Sequence, residues 1–158
     1  MLEHFNILSE EEKVVLTDAV PLIAVLIAGA DGKFEPEELD WADKVTHIRT
    51  YKMKGDMQEF YREVDKTFME KLNYFMDSLP AGVEERNRVI SERLSGINHI
   101  MAKIDPATGA KLYKSFVSFA EHIAKASGGV MGFFSVSKEE ANLVSLPMIT
   151  PVIFKDDE

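Results

Sequence analysis

The residues best suited to chemistry lie just after the first long apolar stretch, in Ala30-Asp31-Gly32 and the acids that follow. Asp31, Gly32 and Glu38 keep the spacing of the second half of a calcium-binding EF-hand loop, with Phe34 where such loops place an apolar residue. The first two ligand positions would be Ile27 and Gly29, which bring no carboxylate, so a complete EF-hand is not expected. What remains is a half-site, with Asp31, Glu35 and Glu38 as candidate ligands of a divalent cation. The same residues also make a capped helix turn. Gly32 supplies the positive φ that ends a helix. Glu35, Glu37 and Glu38 are favourable beside the N-terminus of the helix that follows. Asp31 sits at a helix C-terminus, where the dipole disfavours a negative charge; a bound cation or solvent would relieve it.

A second set is Asp40, Asp43 and His47, which share one sector of a helix. Asp43 and His47 are four apart, a spacing able to chelate a transition metal. Placed opposite the Leu39–Val45 apolar face, the set also reads as a solvated surface. Di-iron bundles need Glu-x-x-His pairs. The residues three before His47, His99 and His122 are Lys44, Gly96 and Phe119, so that chemistry is disfavoured. The chain has no cysteine, which removes disulfides, thiolate zinc sites and cysteine nucleophiles. No serine lies in a nucleophile-elbow pattern, and no Gly-Lys-Ser/Thr phosphate loop occurs. The stretch from Gly128 to Phe134 is Gly-rich but lacks the lysine. Its Met131, Phe133 and Phe134 form a candidate contact patch for a partner protein, or else tuck into the core. With no catalytic constellation to argue, the expectation is a protein that is not an enzyme.

The chain has 158 residues, enough for one domain with a sizeable core. Acids outnumber bases 27 to 18, for a net charge of -9. That balance argues against nucleic acid, whose phosphates need a surplus of Lys and Arg. It equally disfavours an anionic membrane surface. The N-terminal residues carry no basic region leading into an apolar run, so they do not read as a signal peptide. The longest apolar run, Ala19 to Ala30, falls short of a membrane span. A cytoplasmic protein is expected, reaching the inner membrane only through partners; an oligomer is open.

The elements that must position these residues read as helices throughout. Ser9 with Glu12 is a capping box, so a first helix starts near Glu10 and runs to about Gly29. It is apolar on all sides from Ala19, which places it centrally, and Pro21 should kink or divide it. A second helix opens at Pro36 and ends near Thr50. A third carries Met57, Phe60, Tyr61, Val64, Phe68, Leu72, Phe75, Met76 and Leu79 at three-and-four spacing. A fourth runs from Val83 through Ile90, Leu94, Ile97 and Met101 to Ile104, closed by Asp105-Pro106. A fifth carries Tyr113, Phe116, Val117, Ala120, Ile123 and Ala124. A sixth starts at Ser137, where Ser137 with Glu140 makes another capping box. Pro147 and Pro151 stop it, and 151–158 reads as a frayed acidic tail. The whole of 1–158 is expected to be one domain.

A weak internal repeat pairs the Ala28–Glu38 turn with Ala124–Glu140. Phe34 corresponds to Val136, Glu35 to Ser137 and Glu38 to Glu140; the second copy lacks the Asp-Gly. At these residues the sequence resembles the TerB-like (tellurite-resistance) family, which also takes in a domain of the co-chaperone DjlA. The family's mark is an apolar helix ending in Ala-Asp-Gly, then an apolar residue, a capping residue and a Glu opening the next helix. Here these are Ala30-Asp31-Gly32, Phe34, Glu35 and Glu38. The resemblance implies an all-α, compact bundle of about six or seven helices with two pseudo-repeated helix-turn-helix units. It also implies a bacterial stress-response role, metal bound through acids near the turns, and action within assemblies.

Overall fold

The computed structural model describes residues 5–30, 32, 34–126 and 142–154. Within them the chain forms α1 (Glu10–Ala28), α2 (Pro36–Lys52), α3 (Gly55–Ser78), α4 (Val83–Ser95), a single-turn α5 (Asn98–Met101) and α6 (Pro106–Ala126). No strand occurs among the described residues.

Ser9 starts α1 through the expected capping box. Its Oγ accepts the Glu12 N–H, and the Glu12 carboxylate accepts the Ser9 N–H. Every residue from Ala19 to Ala30 is buried, and the helix packs against α2, α3, α4 and α6. Pro21 does not divide it: α1 is one helix with the proline inside. Proline in a helix interior costs about 3 kcal/mol. Each large apolar side chain taken out of water returns about 1.5–3 kcal/mol. With Leu22, Ile23, Val25, Leu26 and Ile27 all buried, packing outweighs the lost hydrogen bond.

α3 follows its apolar spacing, burying Met57, Phe60, Tyr61, Val64, Phe68, Leu72 and Phe75. It also closes the end of α2, because Gln58 Nε2 and Arg62 Nε both donate to the Thr50 carbonyl. Two expectations change beyond it. The stretch expected as one helix over Val83–Ile104 breaks after Ser95, where Gly96 caps α4 and a separate turn, α5, begins. The Asp105-Pro106 pair, expected to close a helix, opens α6 instead. Asp105 Oδ2 accepts the N–H groups of Ala107 and Thr108, and Pro106 takes the first helical position.

The described residues therefore hold five helices of 13 residues or more and one of four, a lower full-length count than the six or seven expected. The start of the helix expected from Ser137, and the second copy of the repeat after Ala126, lie outside the described residues, while Asn142 and Leu143 are helical. The described residues from 142 onward pack on the core. Leu146 (0% exposed) and Ile149 (1%) are buried, and Val152, the second residue of the expected tail at 151–158, also packs against the core. Asn98 clasps this segment at both amide atoms. Its Nδ2 donates to the Met148 carbonyl at 3.1 Å, and its Oδ1 accepts the Thr150 N–H at 2.8 Å.

Candidate functional site

The α1–α2 connection is built around two glycines. The Gly32 N–H returns to the Gly29 carbonyl at 3.0 Å, with Gly32 at φ 92°, a conformation that side chains rarely tolerate. At Gly29 the demand is for space. A Cβ there would lie 2.7 Å from Phe34 Cε1 and 2.9 Å from Arg86 Nη2.

Arg86 was not marked by sequence reasoning, and it is the centre of this site. It comes from the first turns of α4 and is only 5% exposed. Its Nη2 donates to the Gly29 carbonyl at 2.8 Å and its Nη1 to the Ala81 carbonyl at 3.3 Å. Its guanidinium lies 4.8 Å from the centre of the Phe34 ring. Burial pulls its pKa below the ordinary arginine value. Val83, Arg86 and Ile90 lie three and four apart, so the arginine occupies a slot in the α4 apolar stripe. A base in apolar register was the available signal.

Of the expected cation ligands, Asp31 lies outside the described residues. Glu35 stands at the N-cap of α2 but makes no side-chain capping bond; its carbonyl receives the Glu38 N–H at 3.0 Å. Glu38, expected beside the helix N-terminus, is 1% exposed and thus held out of water. Hard divalent cations such as calcium take about six to eight oxygen ligands. Among the described residues no three carboxylate or imidazole groups come close enough to hold a metal ion. A positive charge is already seated on the Gly29 carbonyl. Among the described residues the turn thus carries one guanidinium on the Gly29 carbonyl and no cluster of three metal-binding groups. The expected contact residues Met131, Phe133 and Phe134 also lie outside the described residues.

Asp40, Asp43 and His47 are brought to the seam between α2 and α3 rather than left wholly on an outward face. His47 Nδ1 is 3.2 Å from Asp65 Oδ2 of α3, and Lys44 Nζ is 3.6 Å from Asp40 Oδ2. Asp43 is half-buried in a shallow cleft with Pro36, Leu39 and Met69. Burial first, then the charges of Asp65 and Asp40, push its pKa up, and His47 offsets this in part. A raised native pKa means that the ionised form is penalised by folding. Its favourable contribution is present below the ordinary value of 3.8 and is lost as pH rises through the native value. Asp43→Asn should therefore stabilise the fold at pH 7 by about 0.5 kcal/mol, discounted for solvent screening. Urea denaturation at descending pH should show the variant and the wild type converging in acid. A gap independent of pH would contradict this account.

The third polar cluster is buried. Arg49 of α2, 6% exposed, donates from Nη1 to the Tyr61 hydroxyl and the Ser115 carbonyl, both at 2.8 Å. Its Nη2 donates to Ser118 Oγ at 2.7 Å. The Tyr61 hydroxyl donates to Ser115 Oγ at 2.9 Å, which donates to the Leu112 carbonyl at 2.7 Å. The guanidinium also lies over the rings of Tyr61 and Phe119. Burial, then the Arg49 charge, lowers the pKa of His122 on α6. The cluster ties α2, α3 and α6, with Arg49, Tyr61 and Ser115 buried at its centre.

No helix among the described residues is long and apolar enough to cross a membrane. No family model, no curated protein and no solved structure matches this chain.

Proposed function

We propose that the chain is a non-enzymatic, TerB-like module of a bacterial stress response that works by docking a protein partner on the outer face of α2. One observation carries the docking part. Trp41 (37% exposed) and Tyr51 (58%) project from this face, and Met69 of α3 (44%) flanks it. Tryptophan, tyrosine and methionine are enriched at protein interfaces, and Trp and Tyr are frequent energetic anchors there. Around them stand Glu37, Asp40, Lys44 and His47, a polar surround that keeps such a face soluble when empty. The net charge of -9 favours a protein partner over nucleic acid. In this reading the module is cytoplasmic and meets the inner membrane only through its partner. The TerB-like assignment itself rests on the Ala30–Glu38 turn.

The test is site-specific photo-crosslinking in living cells that express the full chain. A photoreactive residue at Trp41 should give a discrete adduct, and one at exposed Glu70 of α3 should not. Adducts from both positions, or from neither, would remove the docking face.

A further inference from the structure

We propose that Arg86, rather than a bound divalent cation, supplies the positive charge that holds the α1–α2 turn. The last turn of α1 contains no basic residue, so its unpaired carbonyls must be met from elsewhere. Arg86 reaches one of them, that of Gly29, from α4. The Gly29 carbonyl has two lone pairs, and both are taken, one by the Gly32 N–H and one by Arg86 Nη2. A cation seated on that oxygen would have to displace one of them. It would also face the guanidinium at short range and away from water, where like charges repel strongly.

The guanidinium grips both sides of the turn. It bonds Gly29 on the side where α1 ends, and it covers Phe34 on the side where α2 begins. Gly29 permits this because any Cβ would occupy the space of both groups. Arg86 makes no carboxylate ion pair among the described residues, and its buried Nε has no acceptor there. The planar fork matters as much as the charge: one group must reach two carbonyls and stack on a ring, which an ammonium cannot do.

The experiment is thermal denaturation of the full chain in EDTA and in millimolar Mg²⁺, Ca²⁺, Mn²⁺ or Zn²⁺. The wild-type Tm should be the same in every condition. Arg86→Met should lower Tm by about 5 °C, and Arg86→Lys should recover less than half of the loss. A second measurement covers the case in which Arg86→Met fails to fold. The buried guanidinium N–H groups of the wild type should give slowly exchanging signals in ¹⁵N spectra, unchanged by the ions. A saturable Tm rise with any ion that Glu38→Gln abolishes would overturn the proposal. So would a wild-type Tm in Arg86→Met, or guanidinium signals that an ion displaces. The result is independent of α2 docking, since no partner enters the measurement.

Discussion

Arg49→Met should destabilise the protein by about 2–4 kcal/mol, one of the two largest effects expected of a single substitution here. Methionine fills much of the arginine's volume, so the loss is not mainly a cavity. What disappears is three short hydrogen bonds from a charged donor, to Tyr61, Ser115 and Ser118, and two ring contacts. Two effects limit the damage. Ser118 Oγ still donates to the Ser115 carbonyl, and the Tyr61 hydroxyl still donates to Ser115 Oγ. Removing a buried charge also removes its desolvation cost. For a chain of this size the change corresponds to a Tm drop of about 5–12 °C. Tyr61→Phe should cost about 1 kcal/mol alone. In the double variant the two losses should fall short of their sum, because they share a bond. Strict additivity by urea denaturation would show that Arg49 does not act through Tyr61.

Gly29→Ala sets two principles against each other. Propensity alone favours the alanine, by at most about 1 kcal/mol, since Gly29 has φ -99° and needs no left-handed backbone. Packing opposes it. The new methyl carbon would lie 2.7 Å from the Phe34 ring and 2.9 Å from Arg86, so both must move. Overpacking costs about 1–3 kcal/mol, and losing the cation–ring contact adds about 1–2 kcal/mol. The net expectation is a loss of about 2 kcal/mol, read as a lower denaturation midpoint with an unchanged slope. A variant more stable than the wild type would mean that Phe34 and Arg86 can step aside freely, which would also weaken the role given to Arg86.

The sequence was legible where a helix has one wet and one dry side. α3 was readable almost to its ends because Met57 through Leu79 repeat at helical spacing. α1 was readable as central because twelve consecutive positions admit no polar group. The break at Gly96 was not, since Ile90, Leu94, Ile97 and Met101 keep apolar spacing through it and periodicity cannot register a turn in which the Ile97 N–H bonds back to Leu94. Pro21 was expected to kink or divide α1, and the helix is not divided there because burial offsets the local cost. The site was half legible. The turn and its glycine were plain, but the groups that give it chemistry were not. Arg49 follows Ala42 and Val45 on the buried side of α2, as Arg86 follows Val83 on α4. Charged residues in apolar register pass for surface residues when only the apolar ones are counted. Glu38 was assigned to a helix start from its spacing alone, and its burial depends on α2 leaning onto the rest of the bundle.

The Asn98 clasp has a consequence for the order in which the protein can be assembled. Its two bonds join residues 50 and 52 apart in sequence, and Leu146 and Ile149 enter a core made mostly by α1 to α6. Loops of that length close late, because ordering them costs entropy before any contact is gained. Until residues 146–150 have been synthesised, the Asn98 amide and the apolar floor beneath Ile149 stay open to water. A ribosome-bound chain can therefore form α1–α3 and hold them together, yet remain unsealed on the α5 side. One asparagine thus fastens a strap that can close only after residues 146–150 have been made.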